Sequence, residues 1–167
     1  MKTRSIALAG MISDTSLYNV DGACVLTTGS PVAAGTVVGV VSSQPVDGHK
    51  VVGVPVSSDV PPYGVAIRSA YEAADGTYKP QEAINVISAG RVWVRTTLSA
   101  APKVGDAMFV DAQGRVVAGP AGSEGAAPYA TDWTAAGGFV TAYAGAAPIK
   151  QGESIDGALV EVQVKQK

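Results

Sequence analysis

The chain of 167 residues has one cysteine, Cys24, and one histidine, His49. A single cysteine can form no intrachain disulfide and no thiolate metal cluster. A single histidine obliges any Ser-His-Asp or Cys-His machine to use His49, and a zinc site would have to fall back on carboxylates. Cys24 falls in an expected strand, where a small buried hydrophobe is the usual role. His49 follows the Asp47-Gly48 turn. No catalytic pair is expected, and no metal or other cofactor.

Charge is scarce as well. Charged residues make up 16% of the chain, against about 25% in ordinary domains. The 12 basic and 14 acidic residues leave a net charge of −2, and there is no run of Lys or Arg, so the electrostatic footprint of a nucleic-acid binder is missing. No apolar stretch approaches the roughly 20 residues of a membrane-spanning helix. Lys2 and Arg4 precede Ile6-Ala7-Leu8-Ala9 as in a signal peptide, but the apolar run ends at Ile12 and Ser13-Asp14-Thr15-Ser16 follows. That is too short a hydrophobic region, so an unprocessed N-terminus is expected.

Phosphate-binding and calcium-binding motifs also fail. The Gly-rich segment 119–125 lacks the Gly-Lys-Ser/Thr ending of a phosphate loop. Asp111-Ala112-Gln113-Gly114 has no acidic residues at the later calcium-ligand positions and reads as a turn. Glu72, Glu82, Glu124, Glu153 and Glu161 all fall near turns or on solvent faces, which is a poor setting for a glycosidase carboxylate pair.

What the chain does have is glycine (20), proline (10) and a hydrophobic fraction of 47%, carried mainly by Val and Ala. Val favours strands, while Gly and Pro interrupt helices. The expected fold is all-β: a compact β-barrel or β-sandwich of short antiparallel strands. An N-terminal arm at 1–15 leads into a single domain at 16–167.

Taken in order, strands are expected at Ser16–Val20 and Ala23–Thr28, with Asp21-Gly22 as the hairpin turn between them. Thr36–Ser42 is almost continuously apolar and is expected to be buried on both sides. Asp47-Gly48 turns the chain into Lys50–Val56. Tyr63–Glu72 alternates, with Val65, Ile67 and Tyr71 on one face. Asp75-Gly76 turns into Thr77-Tyr78. Gln81–Ser88 is separated by Gly90 from a strand around Arg91–Arg95, and the 111–114 turn joins Ala107–Val110 to Arg115–Ala118. Residues 119–138, rich in Gly and Ala, read as an extended loop insertion before a short strand at Phe139–Tyr143. In the closing segment Leu159–Lys165, Val160, Val162 and Val164 face in while Glu161, Gln163 and Lys165 face out.

Candidate interaction residues follow from residue type. Arg and Trp concentrate at interface hot spots, and Arg91, Trp93 and Arg95 share one face of a strand whose other face carries Val92 and Val94. That Arg-Trp-Arg face is either a second buried side or a contact with another chain. Tyr129 and Trp133 lie in the 119–138 segment, where aromatics in a long loop point to docking. Lys2 and Arg4 belong to the arm.

Three stretches together resemble a known family. They are Pro31-Val-Ala-Ala-Gly-Thr-Val-Val-Gly-Val40, Pro62-Tyr-Gly-Val-Ala-Ile-Arg-Ser69 and Ile84-Asn-Val-Ile-Ser-Ala-Gly-Arg-Val-Trp93, followed by Pro102 and the Gly105-Asp106 turn. The sequence from about Pro31 to Ala118 resembles the small β-rich capsid decoration, or structural cement, proteins of tailed bacteriophages. The resemblance implies a non-enzymatic virion protein on the capsid exterior, bound to the major capsid protein, joining neighbouring capsomers and resisting internal pressure. It also implies a symmetric homo-oligomer, for which a trimer is expected in preference to a dimer; from the charge and hydropathy above, no nucleic-acid or membrane partner is expected. Two rival expectations stand beside it: a glycan-binding adhesin using Tyr129 and Trp133, and a hydrolase dependent on His49.

Overall fold

The computed structural model describes residues 7–27, 29–119, 128–145 and 147–165, without the side chains of 42–46. The regular structure among them is all strand: β1 (Ile12–Leu26), β2 (Val32–Ala33), β3 (Val37–Val46), β4 (His49–Gly53), β5 (Pro62–Ala66), β6 (Thr77–Tyr78), β7 (Ala83–Arg95), β8 (Ala107–Val110), β9 (Val116–Val117), β10 (Tyr129–Ala142), β11 (Glu153–Ser154) and β12 (Leu159–Val164). Ten strands form one mixed sheet, and β2 and β6 form a separate two-stranded ladder.

The spine of the sheet is β7. Its first half pairs with β5 (Ala66↔Val86, Val65↔Ile87) and its second half with β12, from Gly90↔Val164 to Arg95↔Leu159. Along its other edge runs β1, from Val25↔Ala83 to Ile12↔Val92. The pairings β1–β4, β4–β3, β3–β5, β5–β7 and β7–β1 return on themselves. From β7 the sheet also runs through β12, β10, β8 and β9, and comes back through the isolated bridge Thr96↔Val116. Each circuit is barrel-like, but the ten-stranded sheet as a whole is not one closed barrel.

Because successive strand residues point to opposite faces, the shared strands feed two cores. Val38, Ala66 and Val86 join Cys24, Leu26, Val52, Tyr78 and Ile84 in one. Their neighbours Val37, Val65 and Ile87 join Val92, Val94, Met108, Val110, Trp133, Val160, Val162 and Val164 in the other. Burial on both faces is why the Val37-Val38-Gly39-Val40 run carries no alternation. Each fully buried Val or Ile contributes roughly 1.5–3 kcal/mol, so the doubled core gives a Val-rich, Leu-poor chain its cohesion.

Several expectations hold. Asp47 and Gly48 turn with φ of 51° and 84°, the paired positive values of a two-residue hairpin, and β4 follows. Thr77-Tyr78 is a strand. Asp111–Gly114 joins β8 to β9, with Asp111 Oδ1 accepting from the Arg115 N–H at 2.8 Å. In the closing strand, Val160, Val162 and Val164 are buried.

Others are corrected. Three strands are long rather than short, β1 at 15 residues, β7 at 13 and β10 at 14, and two pairings, β1–β4 and β10–β11, are parallel. Asp21-Gly22 makes no hairpin; β1 continues through it with a bulge between Asp21 and Cys24, and Asp21 bonds sideways to Lys50 and Tyr63. Strand structure begins at Ile12, inside the expected arm 1–15. Gly90 (φ 121°) does not end a strand but lets β7 pass close under Tyr18, where a Cβ would stand 2.7 Å from the Tyr18 Cβ. The loop expected at 119–138 is strand from Tyr129 onward, since Ala135 and Phe139 pair with Val162 and Val160 across a bulge at Gly137-Gly138; residues 120–127 lie outside the described residues. Strand β5 ends at Ala66, and Tyr71 is exposed rather than facing in with Val65 and Ile67.

Candidate interaction surface

Trp93 and Arg95 are fastened to the body by their surroundings. Trp93 is half-buried on a third, small cluster of Ala7, Ala9, Val140 and Leu159. Arg95 is half-buried, donating from Nε to the Ala34 carbonyl at 2.9 Å and from a terminal nitrogen to the Asp156 carbonyl at 2.6 Å. Burial pulls its pKa below arginine's ordinary value, against the opposing influence of the Asp156 charge. Its guanidinium therefore ties β7 to the loops before β3 and β12.

The same corner anchors the chain just before β1. The Ala9 N–H donates to Asp156 Oδ2 at 2.9 Å, and Ser154 Oγ donates to the Ala7 carbonyl at 2.9 Å. Arg68 reaches Asp156 Oδ2 at 2.7 Å and Glu72 Oε1 at 3.3 Å. Residues 7–11, counted with the arm, are thus integral to the fold. Lys2 and Arg4 lie outside the described residues.

Trp133 is 1% exposed and packs in the larger core. Tyr129 is half-buried at the start of β10, opposite Val110. These two aromatics therefore form no exposed gripping pair. Small neighbours, Ala135, Gly137 and Gly138, hid the strand that carries Trp133, because they give no apolar period to read.

Arg91 stands in an open surface feature. It lines a groove of about 740 Å³, within the roughly 300–1,000 Å³ of ordinary ligand sites. The groove exists because β1 leaves β7: Asp14 pairs with Arg91 and Asn19 with Ala89, an advance of five residues against two. The surplus is a wide bulge at Thr15–Tyr18, which exposes Leu17 (87%) and Tyr18 (49%). Ser88–Arg91 line the groove from β7, where pairing with β5 has ended at Ile87 and pairing with β12 begins at Gly90. Tyr63, Gln163 and Lys165 complete the lining. Sequence reasoning missed Leu17 and Tyr18, reading Ser16–Val20 as an ordinary strand; two adjacent apolar residues in a polar stretch were the available signal.

Behind the groove, Asp21 Oδ2 accepts from Lys50 Nζ and from the Tyr63 hydroxyl, each at 2.7 Å. Burial alone would raise the Asp21 pKa, but these two hydrogen bonds, with the Ala23 N–H and the Lys50 charge, hold it at about 2. Burial, reinforced by the Asp21 charge, pushes the Cys24 thiol up to about 12. Cys24 pairs across the sheet with Lys50, next to exposed His49, so the fold brings Cys24 and His49 into adjacent strands. The thiol is nonetheless buried and fully protonated near neutral pH, the wrong state for a nucleophile. Among the described residues no three His, Cys, Asp or Glu side chains gather to hold a metal, and no helix is long and apolar enough to cross a membrane.

A family model described as "Structural cement protein (E217 gp24/Pam3 gp6)" matches residues 1–165 of the chain. Among solved structures, a chain of "The capsid of Myoviridae Phage XM1" is similar with a TM-score of 0.65 and 17% identity, over 99% of this chain and 94% of that one; at such identity the likeness is one of fold. No curated protein matches the chain in sequence.

Proposed function

Since the chain belongs to the family of structural cement proteins, we propose that it sits on the outside of an assembled phage head and stabilises the shell by bridging neighbouring capsomers. The family match over almost the whole chain carries this reading. It is supported by large apolar side chains in water at separate places on the surface: Leu17, Tyr71 (58%), Val104 (76%) and Ile155 (62%). A protein that must hold two neighbours at once needs more than one such contact. Repeated around a symmetric shell, modest contacts add up through multivalency.

The working form is a symmetric homo-oligomer, a trimer in preference to a dimer, bound to the major capsid protein at the virion exterior, with no contribution from nucleic acid or membrane. Arg91, Tyr129, Lys2 and Arg4 are the contact residues of this reading. Trp93 and Arg95 act as scaffold behind them. It is a binding role without catalysis, in keeping with the masked thiol of Cys24. The adhesin alternative loses its main support with the burial of Trp133.

Purified protein added to heads stripped of it tests the proposal. Binding in a fixed number of copies and a higher rupture temperature are expected. Heads that rupture at the same temperature with and without bound protein refute stabilisation, and negative-stain images with the protein inside the shell refute the exterior placement.

A further inference from the structure

The groove between the β1 bulge and β7 has a charge character opposite to that of the whole chain. Its charged lining is Asp14, Arg91 and Lys165, a positive balance in a protein of net charge −2. The one carboxylate is shared: Asp14 Oδ1 accepts from the Ser16 N–H at 2.9 Å and from Ser16 Oγ at 2.6 Å, and Asp14 Oδ2 makes a long ion pair with Arg91 at 4.0 Å.

Both cations also have neutral partners. Arg91 Nε donates to Gln163 Oε1 at 3.2 Å, and Lys165 Nζ lies 5.8 Å from the centre of the Tyr63 ring. Among the described residues no carboxylate comes within ion-pair distance of Lys165. Amides and hydroxyls of Asn19, Ser88 and Gln163 supply further hydrogen-bonding groups, with Tyr18, Tyr63 and Leu17 as apolar walls. Two contacts brace the groove. Asn19 Nδ2 holds Ser88 Oγ at 2.7 Å, and the Gly90 backbone packs against Tyr18.

We infer that this groove receives an extended, carboxylate-bearing peptide segment of the shell protein, whose acidic side chains pair with Arg91 and Lys165 while its apolar side chains lie against Leu17, Tyr18 and Tyr63. The inference rests on the proposed role at the capsid surface and names the site and the partner chemistry within it. The charge complementarity selects this occupant: the charged lining carries two cations against one carboxylate, and a neutral glycan would leave Lys165 without a counter-charge. A basic segment would be repelled.

The test compares wild type with an Arg91→Glu/Lys165→Glu double variant for binding to heads lacking the protein, over a series of salt concentrations. Both replaced side chains reach solvent, and matching thermal melts check that the fold is kept. Wild type is expected to bind more weakly as salt rises, and the variant to bind about tenfold more weakly at low salt with a flattened salt response. Hydrogen exchange of bound wild type gives an independent reading: slowed exchange at Thr15–Tyr18 and Ser88–Arg91 is expected.

Wild-type binding with unchanged affinity in the variant, or with no protection at those amides, overturns the groove while leaving the capsid role standing. No wild-type binding to heads at all overturns both. Protection of the same amides on self-association without heads assigns the groove to a second copy and overturns the shell-protein assignment.

Discussion

Trp93 closes over Gly138 because position 138 has no side chain: a Cβ there would stand 2.4 Å from Trp93 Cη2 and 2.9 Å from the Cβ of Glu161. Glu161 is the cross-strand partner of Trp93, and its Oε2 accepts from the Gly138 N–H at 3.1 Å. The β10 bulge, β12 and β7 are thus locked at one spot. Gly138→Ala is expected to cost about 1–3 kcal/mol through overpacking. Denaturant unfolding should show a lower midpoint with an unchanged slope, and Trp fluorescence should shift as the Trp93 ring is displaced.

Two turn glycines separate backbone conformation from close approach. Gly48 and Gly114 have φ of 84° and 77°, but a Cβ on Gly48 meets nothing within 4 Å, whereas one on Gly114 would lie 2.2 Å from the Val37 carbonyl oxygen. Gly48→Ala should cost only the left-handed penalty of about 1–2 kcal/mol. Gly114→Ala should cost clearly more, because the β8–β9 turn must back away from β3 and lose the Val37 N–H bond to the Gly114 carbonyl at 2.8 Å. Equal losses in urea melts of the two variants would contradict this.

Asp156 joins three parts of the chain: the Ala9 N–H and the Arg68 guanidinium both reach its Oδ2, and its backbone carbonyl accepts from Arg95. Asp156→Asn is expected to destabilise by about 1–2 kcal/mol, the value of charge-assisted hydrogen bonds reduced for a partly exposed pair. The loss should be local as well as global. Amide exchange at Ala9 and Gly10 should accelerate more than at Val160 or Val162.

Acid should act through Asp21. Its folded pKa of about 2 lies below the roughly 3.9 of an unfolded aspartate, so its contribution to stability is present above about pH 4 and is lost as pH falls through about 2. Asp21→Asn should therefore be less stable than wild type at pH 7, and the gap should close towards pH 2. A gap that stays constant between pH 7 and pH 2 would show that the Lys50 and Tyr63 contacts do not depend on the carboxylate charge.

Where a strand has one wet face, the residues speak for themselves. Val160, Val162 and Val164 alternate with Glu161, Gln163 and Lys165, and the run Val37–Val40 announces burial on both sides by having no alternation. The groove was legible only in part. Arg91 was found because Arg is a residue type that interfaces favour, but Leu17 and Tyr18 were not, because a bulge has no period.

The sequence by itself determined the class of fold, all-β, since Val favours strands and frequent Gly and Pro disfavour helices between them. It also determined the two-residue turn at Asp47-Gly48 and the inward face of the closing strand. Tertiary structure decided which Gly-containing stretches turn and which run on. Asp21-Gly22, Gly90 and Gly137-Gly138 carry the same local signals as real turns, yet each sits inside a long strand. A glycine permits a turn, a bulge or a close approach at similar local cost. Only the partner across the sheet selects among them: Lys50 and Tyr63 for Asp21, Tyr18 for Gly90, Trp93 for Gly138. Pairing of β10 with β8 and β12 likewise put Trp133 in the core, and the β1 bulge left Arg91 facing a groove.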